Sequence, residues 1–244
     1  MGVARLLSVT ETLKAPRIFE RSVKLTSGAI STDRGLVSMD KRALYPGPKT
    51  TLRETCTALG CSDTTALEPY LSAATAIHFG ADEDIGKCYL EFASHNAPEA
   101  DLVFLALKWK GQTRRINRYS AFTKRPHSEK HDLVRKLVPE PAIATVMLAC
   151  LDLAREGDPD GEAVVLHVTE EGTNRSSVDV SVADARASLA DVAQLLSPLW
   201  ADKASGLRDI LDGNQAARFG HIAAGTDRKG ATFVTIYYGA APLC

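Results

Sequence analysis

Much of what would announce a reaction is missing from this chain of 244 residues. It has neither a Walker loop nor a GxGxxG turn, so a P-loop NTPase or a dinucleotide enzyme lacks its marker. No GxSxG elbow occurs, and no cysteine has a histidine close to it in sequence, which removes the familiar nucleophile arrangements. HxH and HExxH spacings are absent as well. The cysteines (Cys56, Cys61, Cys88, Cys150, Cys244) are odd in number and form no CxxC pair. That usage fits reduced thiols in a cytosol better than a disulfide or zinc framework. Charge of one sign is lacking too: 29 basic and 30 acidic residues leave a net charge of −1. Such a balance creates no field that would gather nucleic acid or anionic membrane.

The opening MGVARLLSVTETLK lacks the apolar run of a signal peptide, and no segment approaches membrane-spanning length. Leu6 stands where myristoylation needs Ser or Thr, and Cys244 is not placed for prenylation. Asn174-Arg175-Ser176 is a sequon without a secretion signal beside it. The expected setting is cytoplasmic. No linker rich in Ser, Gly or Pro divides the chain, so one domain is expected over 17–244, after a flexible arm at 1–16 that shows no clear period.

What is present is a repeated hairpin. Residues 76–92, AIHFGADEDIGKCYLEF, read as two strands of alternating polarity around an acidic, glycine-bounded turn. Residues 220–239, GHIAAGTDRKGATFVTIYYG, repeat the design with Gly-Thr-Asp in place of Gly-Ala-Asp. A looser copy lies at 163–182, AVVLHVTEEGTNRSSVDVSV. Further strands are expected at 19–26, 35–39, 102–110 and 114–123. Helices are expected at 50–59, at 62–75 after a Ser62 cap, after Ser128, at 141–156, at 185–199 and at 203–211. The order is an α+β series of helix pairs and hairpins. Such a series can close an antiparallel barrel of about ten strands with helices outside.

Alternation sorts the strand faces. In KCYLEF, Cys88, Leu90 and Phe92 should meet the helices, and Lys87, Tyr89 and Glu91 should point the other way. The same rule turns Lys108 inward, together with either Arg114 and Arg118 or Arg115 and Tyr119. His167 and Thr169, Ser177, Asp179 and Ser181, and His221 emerge from the later strands, with either Thr235 and Tyr237 or Val234 and Tyr238. Polar alternants on an antiparallel strand ordinarily face water. Here they mix Lys, His, Tyr and Ser rather than Lys and Glu, which is the character of a binding cavity.

Three chemistries follow. Lys87, Lys108 and an arginine such as Arg118, with the hydroxyls of Tyr89 and Tyr237, could cradle a diphosphate. Alternatively these are scattered strand cations guarding edges. Glu91 and Asp179 are candidate general bases, because a carboxylate in a partly apolar interior holds its proton more readily. His78, His167 and His221, one per hairpin, could bind a metal if they met, though a strand histidine is more often a packing residue. Asp82-Glu83-Asp84 in the central turn could hold Mg2+ against a phosphate, or could simply be solvated.

The repeated hairpin, with a Gly-x-Asp turn before a strand such as KCYLEF or FVTIYYG, resembles the aromatic prenyltransferases of the ABBA barrel type. The resemblance implies helix pairs and hairpins repeated around a ten-stranded barrel. It also implies strand Lys, Arg and Tyr holding an isoprenyl diphosphate, and an acidic residue assisting an aromatic acceptor. Lys87 and Tyr89 fall where the strand Lys and Tyr of that family sit, and Tyr237 falls similarly in the closing strand. Glu91 has no firm counterpart, the third hairpin lacks a Lys-x-Tyr pair, and the chain is shorter than such enzymes. The function so implied is transfer of an isoprenyl group to an aromatic acceptor. A metal-dependent enzyme built on the histidines, and a non-catalytic binding or accessory protein, stand beside it.

Overall fold

A computed structural model describes residues 2–26, 29–158, 160–199 and 205–243. Met1, Lys203 and Cys244, on which expectations above fall, lie outside them. The strands are β1 (Arg17–Thr26), β2 (Ala29–Ser31), β3 (Arg34–Asp40), β4 (Ala76–Asp82), β5 (Ile85–Glu91), β6 (Leu102–Lys110), β7 (Thr113–Ala121), β8 (Val165–Glu170), β9 (Ser176–Ser181), β10 (Phe219–Thr226) and β11 (Thr232–Leu243). The helices are α1 (Val3–Glu11), α2 (Pro48–Ala58), α3 (His127–Leu137), α4 (Pro141–Gly157), α5 (Ala193–Leu196) and α6 (Ser205–Asp212). Hydrogen bonding runs in the order β11-β10-β9-β8-β7-β6-β5-β4-β3-β1-β2, and β11 also pairs with β1. Ten strands therefore form a closed antiparallel β-barrel, with β2 attached to β1 as an extra strand. Among the described residues no helix is long and apolar enough to cross a membrane.

The chain divides into two compact units. The first holds Asp33–Ser120 with the N-terminal segment to Arg21 and the end of β11. Its core is the helix-side face of the strands: Val37 and Met39, Ile77 and Phe79, Cys88 and Leu90, Leu105 and Leu107. α2 starts with Pro48, whose fixed φ suits a first helical turn. It buries Thr51, Leu52, Thr55 and Cys56, a stripe of helical spacing. Gly86 is required by Trp109, because a Cβ there would stand 2.2 Å from the indole ring. That indole in turn donates Nε1–H to the Leu59 carbonyl at 3.2 Å.

Two expectations fail in this unit. Residues 3–11 are not a flexible arm but helix α1, with Leu6 fully buried. Leu6, Thr10 and Leu13 recur every three or four positions, a helical period that a short window hides. The helix expected over 62–75 is replaced by turns and one 3-10 turn at Glu68–Tyr70. Pro69 has no amide hydrogen to continue an α-helical ladder.

The second unit holds Ala121–Gly239 with Ser22–Thr32. Val146, Met147, Cys150, Leu151 and Ala154 of α4 pack with Val165, Val178, Val180, Ile222, Val234 and Ile236 of the strands. α3 begins at His127, one residue before the Ser128 that was expected to cap it. The long helix expected over 185–199 reduces to the single turn of α5 between 3-10 turns. Ser188 and Asp191 explain part of this: the Ser188 amide and hydroxyl each donate to Asp191 Oδ2 at 2.8 Å. Such local bonds compete with a helical ladder.

Candidate active site

Directly opposed residues on paired strands share a face, so the register sorts the first unit's polar face into rows. One row is Ser38, His78, Tyr89, Ala106 and Asn117. Two residues along each strand, toward the β4–β5 turn, comes Leu36, Gly80, Lys87, Lys108 and Arg115. Two residues the other way come Ala76, Glu91, Phe104 and Tyr119. Successive rows lie about 7 Å apart along the strands. The face thus carries cations at one end, His78 and Tyr89 in the middle, and Glu91 beside Phe104 and Tyr119 at the other.

Each end is organised by partners. Lys87, 8% exposed, lies 3.0 Å from Asp82 Oδ2, and Arg34 pairs with the other oxygen of Asp82. At the carboxylate end His78 Nε2 meets Glu91 Oε2 at 2.9 Å, and His78 Nδ1 meets Ser38 Oγ at 2.7 Å. The consistent tautomer has Nε2–H donating to Glu91 and the Ser38 hydroxyl donating to Nδ1. From the middle row to the carboxylate row the rings of His78, Tyr89, Phe104 and Tyr119 meet edge to face at 5.7–6.4 Å. Lys108 Nζ stands 5.9 Å from the Tyr119 ring centre, within cation–π range.

Asn117 is the residue that sequence reasoning missed. It is fully buried, and neither its amide nitrogen nor its oxygen has a hydrogen-bond partner. An orphaned buried amide is costly to keep unless something else meets it.

The second unit has its own polar face. Asp179 Oδ1 lies 2.8 Å from His221 Nδ1. The His221 ring stacks on Tyr237 at 3.8 Å and 9°. Phe233, on the same face, has Lys24 Nζ 4.8 Å and the Arg175 guanidinium 5.2 Å from its ring centre. Glu170 is buried and binds Arg228 through both oxygens, with Nη2 to Oε2 at 2.7 Å.

The expected residues therefore separate. Lys87, Tyr89, Glu91 and Lys108 share one face of the first unit, as alternation indicated. Of the two arginine options the structure takes Arg115 with Tyr119. Arg118 is opposite Leu105 of the core, on the helix side, and pairs with Glu99 at 2.6 Å. Asp179, His221 and Tyr237 share one face of the second unit, with Thr235 rather than Val234. His167 does not join them. It opposes Val178 of the core, and its Nε2 meets Ser176 Oγ at 2.9 Å. Burial and the charge of Lys136 push its imidazole toward the neutral form. A metal site shared by His167 and His221 is excluded, since the two leave opposite faces. In the acidic turn Asp82 meets Arg34 and Lys87, and Asp84 lies 2.5 Å from Lys110.

Nucleophilic thiols find no support among the described residues. Cys56, Cys61, Cys88 and Cys150 are free and buried. Burial pushes the Cys150 thiol up to about 12.

No protein-family model matches the sequence, and neither does any curated protein. Solved structures do match. 5-Dimethylallyltryptophan synthase from Streptomyces coelicolor is 16% identical, with a TM-score of 0.60 over 90% of this chain and 80% of that one. NotF in complex with brevianamide F and DMSPP is 14% identical, with a TM-score of 0.52 over 94% and 81%. AnaPT from Neosartorya fischeri is 13% identical, with a TM-score of 0.51 over 91% and 78%. At these identities the likeness is one of fold: the chain has the barrel of the aromatic prenyltransferases that its repeated hairpins resemble.

Proposed function

We propose that this chain transfers an isoprenyl group from its diphosphate to an aromatic acceptor, with an indole as the first acceptor to test. The observation that carries the reading is the order of groups on the first unit's polar face: cations at one end, rings from the middle onward, and a carboxylate among them at the other end. Lys87 and Glu91 are four residues apart on β5, about 13 Å along the strand. That span suits a diphosphate at one end and an acceptor at the other.

In the reaction the bond between the allylic carbon and the diphosphate oxygen breaks, and the oxygen keeps the electron pair. Lys87, Lys108 and Arg115 meet the charge that develops on the leaving group. The faces of Tyr89, Phe104 and Tyr119 favour the allylic cation through their ring quadrupoles. A carbon of the acceptor ring attacks that cation, and the new carbon–carbon bond leaves a proton to be removed. Glu91 takes it, with His78, itself oriented by Ser38, holding its Oε2 so that the other oxygen is presented. The Asn117 amide supplies a donor and an acceptor for a polar group of either substrate. Structural neighbours support the reading by what they do: one is a dimethylallyltryptophan synthase, and another holds brevianamide F with DMSPP.

The test is incubation with dimethylallyl diphosphate and tryptophan or a tryptophan-containing dipeptide, read by mass spectrometry. Formation of a prenylated product by the wild type and its loss in Glu91→Gln is the expected result. Failure of dimethylallyl and geranyl diphosphates to raise the melting temperature would overturn the reading.

A further inference from the structure

Outside both polar faces, a third cluster of ligating side chains lies on the helices of the second unit. His127 opens α3 and His131 follows one turn later, so both imidazoles leave the same side of that helix. Asp152 comes from α4, which packs against α3. His127 Nε2 is 2.8 Å from Asp152 Oδ1 and 2.8 Å from His131 Nε2. His131 Nε2 is 3.4 Å from the same Oδ1. The three atoms converge, and each side chain is partly buried yet reachable from solvent.

Hydrogen bonding alone serves this arrangement poorly. If both imidazoles carry a proton on Nε2, two N–H groups oppose each other. If only one does, that proton is shared among three electron-rich atoms. A cation satisfies all three lone pairs at once. The spacing agrees: with bonds of about 2.0–2.1 Å, neighbouring ligand atoms stand about 3.3 Å apart in a tetrahedron and about 2.9 Å apart in an octahedron.

We propose that His127, His131 and Asp152 bind a divalent transition metal, zinc first, and that the ion fastens α3 to α4. Two imidazoles with a single carboxylate select Zn2+, Co2+ or Ni2+ over Mg2+ and Ca2+, which prefer oxygen-only shells. The site is independent of isoprenyl transfer and makes no use of the barrel's polar faces.

The experiment uses the full chain, purified without a polyhistidine tag and stripped with chelator. Equilibrium dialysis against Zn2+ should give stoichiometric binding and a higher melting temperature. His131→Ala and Asp152→Asn should each weaken binding by more than about 100-fold, beyond the 10–100-fold typical of losing an outer-shell group. Both should also abolish the melting shift, while His95→Ala, at an exposed histidine of the first unit, should change neither. The stripped variants are checked for wild-type circular dichroism, so loss of fold is seen separately. No binding by the wild type, or binding that survives in both variants, overturns the proposal.

Discussion

The two units present polar faces of opposite character. The first sets Lys87 and Lys108 directly across from each other, with Arg115 beside them, and places Glu91 at the far end in a row with two of the rings. The second joins its carboxylate at once to an imidazole and a phenol, Asp179 to His221 to Tyr237, and places its cations against Phe233. Like charges directly opposed on a sheet repel; Asp82 beside Lys87 offsets part of that repulsion, and a bound anion would add to the offset. Among the described residues the second face has no such pair of directly opposed lysines. On the proposed reading, the difference places the diphosphate in the first unit and gives the role of base to Glu91 rather than Asp179.

Exchanging the carboxylates is the strongest way to break that assignment. Glu91→Gln should lower kcat/KM for isoprenyl transfer by about 10²–10⁴-fold, the range for losing a general base. Asp179→Asn should fall short of that range. Reversal of the order would move the base to the second unit. Next in size is anion affinity, read by titration calorimetry with dimethylallyl diphosphate. Lys87→Ala and Lys108→Ala should each weaken binding by about 10–100-fold, as a hydrogen bond to a charged group is worth about 1.5–3 kcal/mol. Lys24→Ala, at the second unit's cation pair, should leave it unchanged.

Asn117 sharpens the comparison at smaller scale. Its fully buried amide has no partner, so Asn117→Leu should raise the melting temperature by about 2–4 °C while weakening substrate binding. A variant that melts lower would show that the amide serves the fold instead. The smallest effect belongs to the second unit. Burial pushes the Glu170 carboxyl up, but the hydrogen bond and charge of Arg228, with Arg175 and Thr173, outweigh it and hold it below the usual range. A carboxyl lowered by folding stabilises above its unfolded value near 4.3, and that contribution is lost as pH falls through the folded value. Arg228 is 52% exposed, which keeps the effect small. Cooling of the melting point below about pH 4.3 should therefore be about 2–4 °C less in Glu170→Gln than in the wild type.

How far the sequence reveals these faces depends on how cleanly each strand alternates. From Lys87 to Glu91 β5 alternates cleanly, so Lys87, Tyr89 and Glu91 are assigned from the residues alone. In β7 the run Arg114-Arg115-Ile116-Asn117-Arg118 has one apolar residue, and only Ile116, which packs on the core, fixes the parity. Read from Ile116, Arg115, Asn117 and Tyr119 turn away from the helices and Arg118 turns toward them. β8 gives no such guide, because Leu166 and Val168 are as buried on one face as Val165 is on the other. His167 is therefore ambiguous until strand pairing is known. Closure of the sheet is legible as a count of hairpins, whereas α1 is hidden in a segment too short to show its period. The His127–His131–Asp152 cluster is invisible in sequence because it depends on which helices touch.

A sheet whose final strand bonds to its first has almost no free rim. Among the described residues only β2, three residues long, stands at the end of the ladder. Bare strand rims invite other chains to add on, so the molecule in its finished state offers little for self-association by strand addition. The liability moves to the folding pathway. The β1–β11 seam joins segments remote in sequence, and contacts of that kind form slowly. Until it forms, two long strands lie open, and any change that loosens β11 should show first as aggregation during refolding.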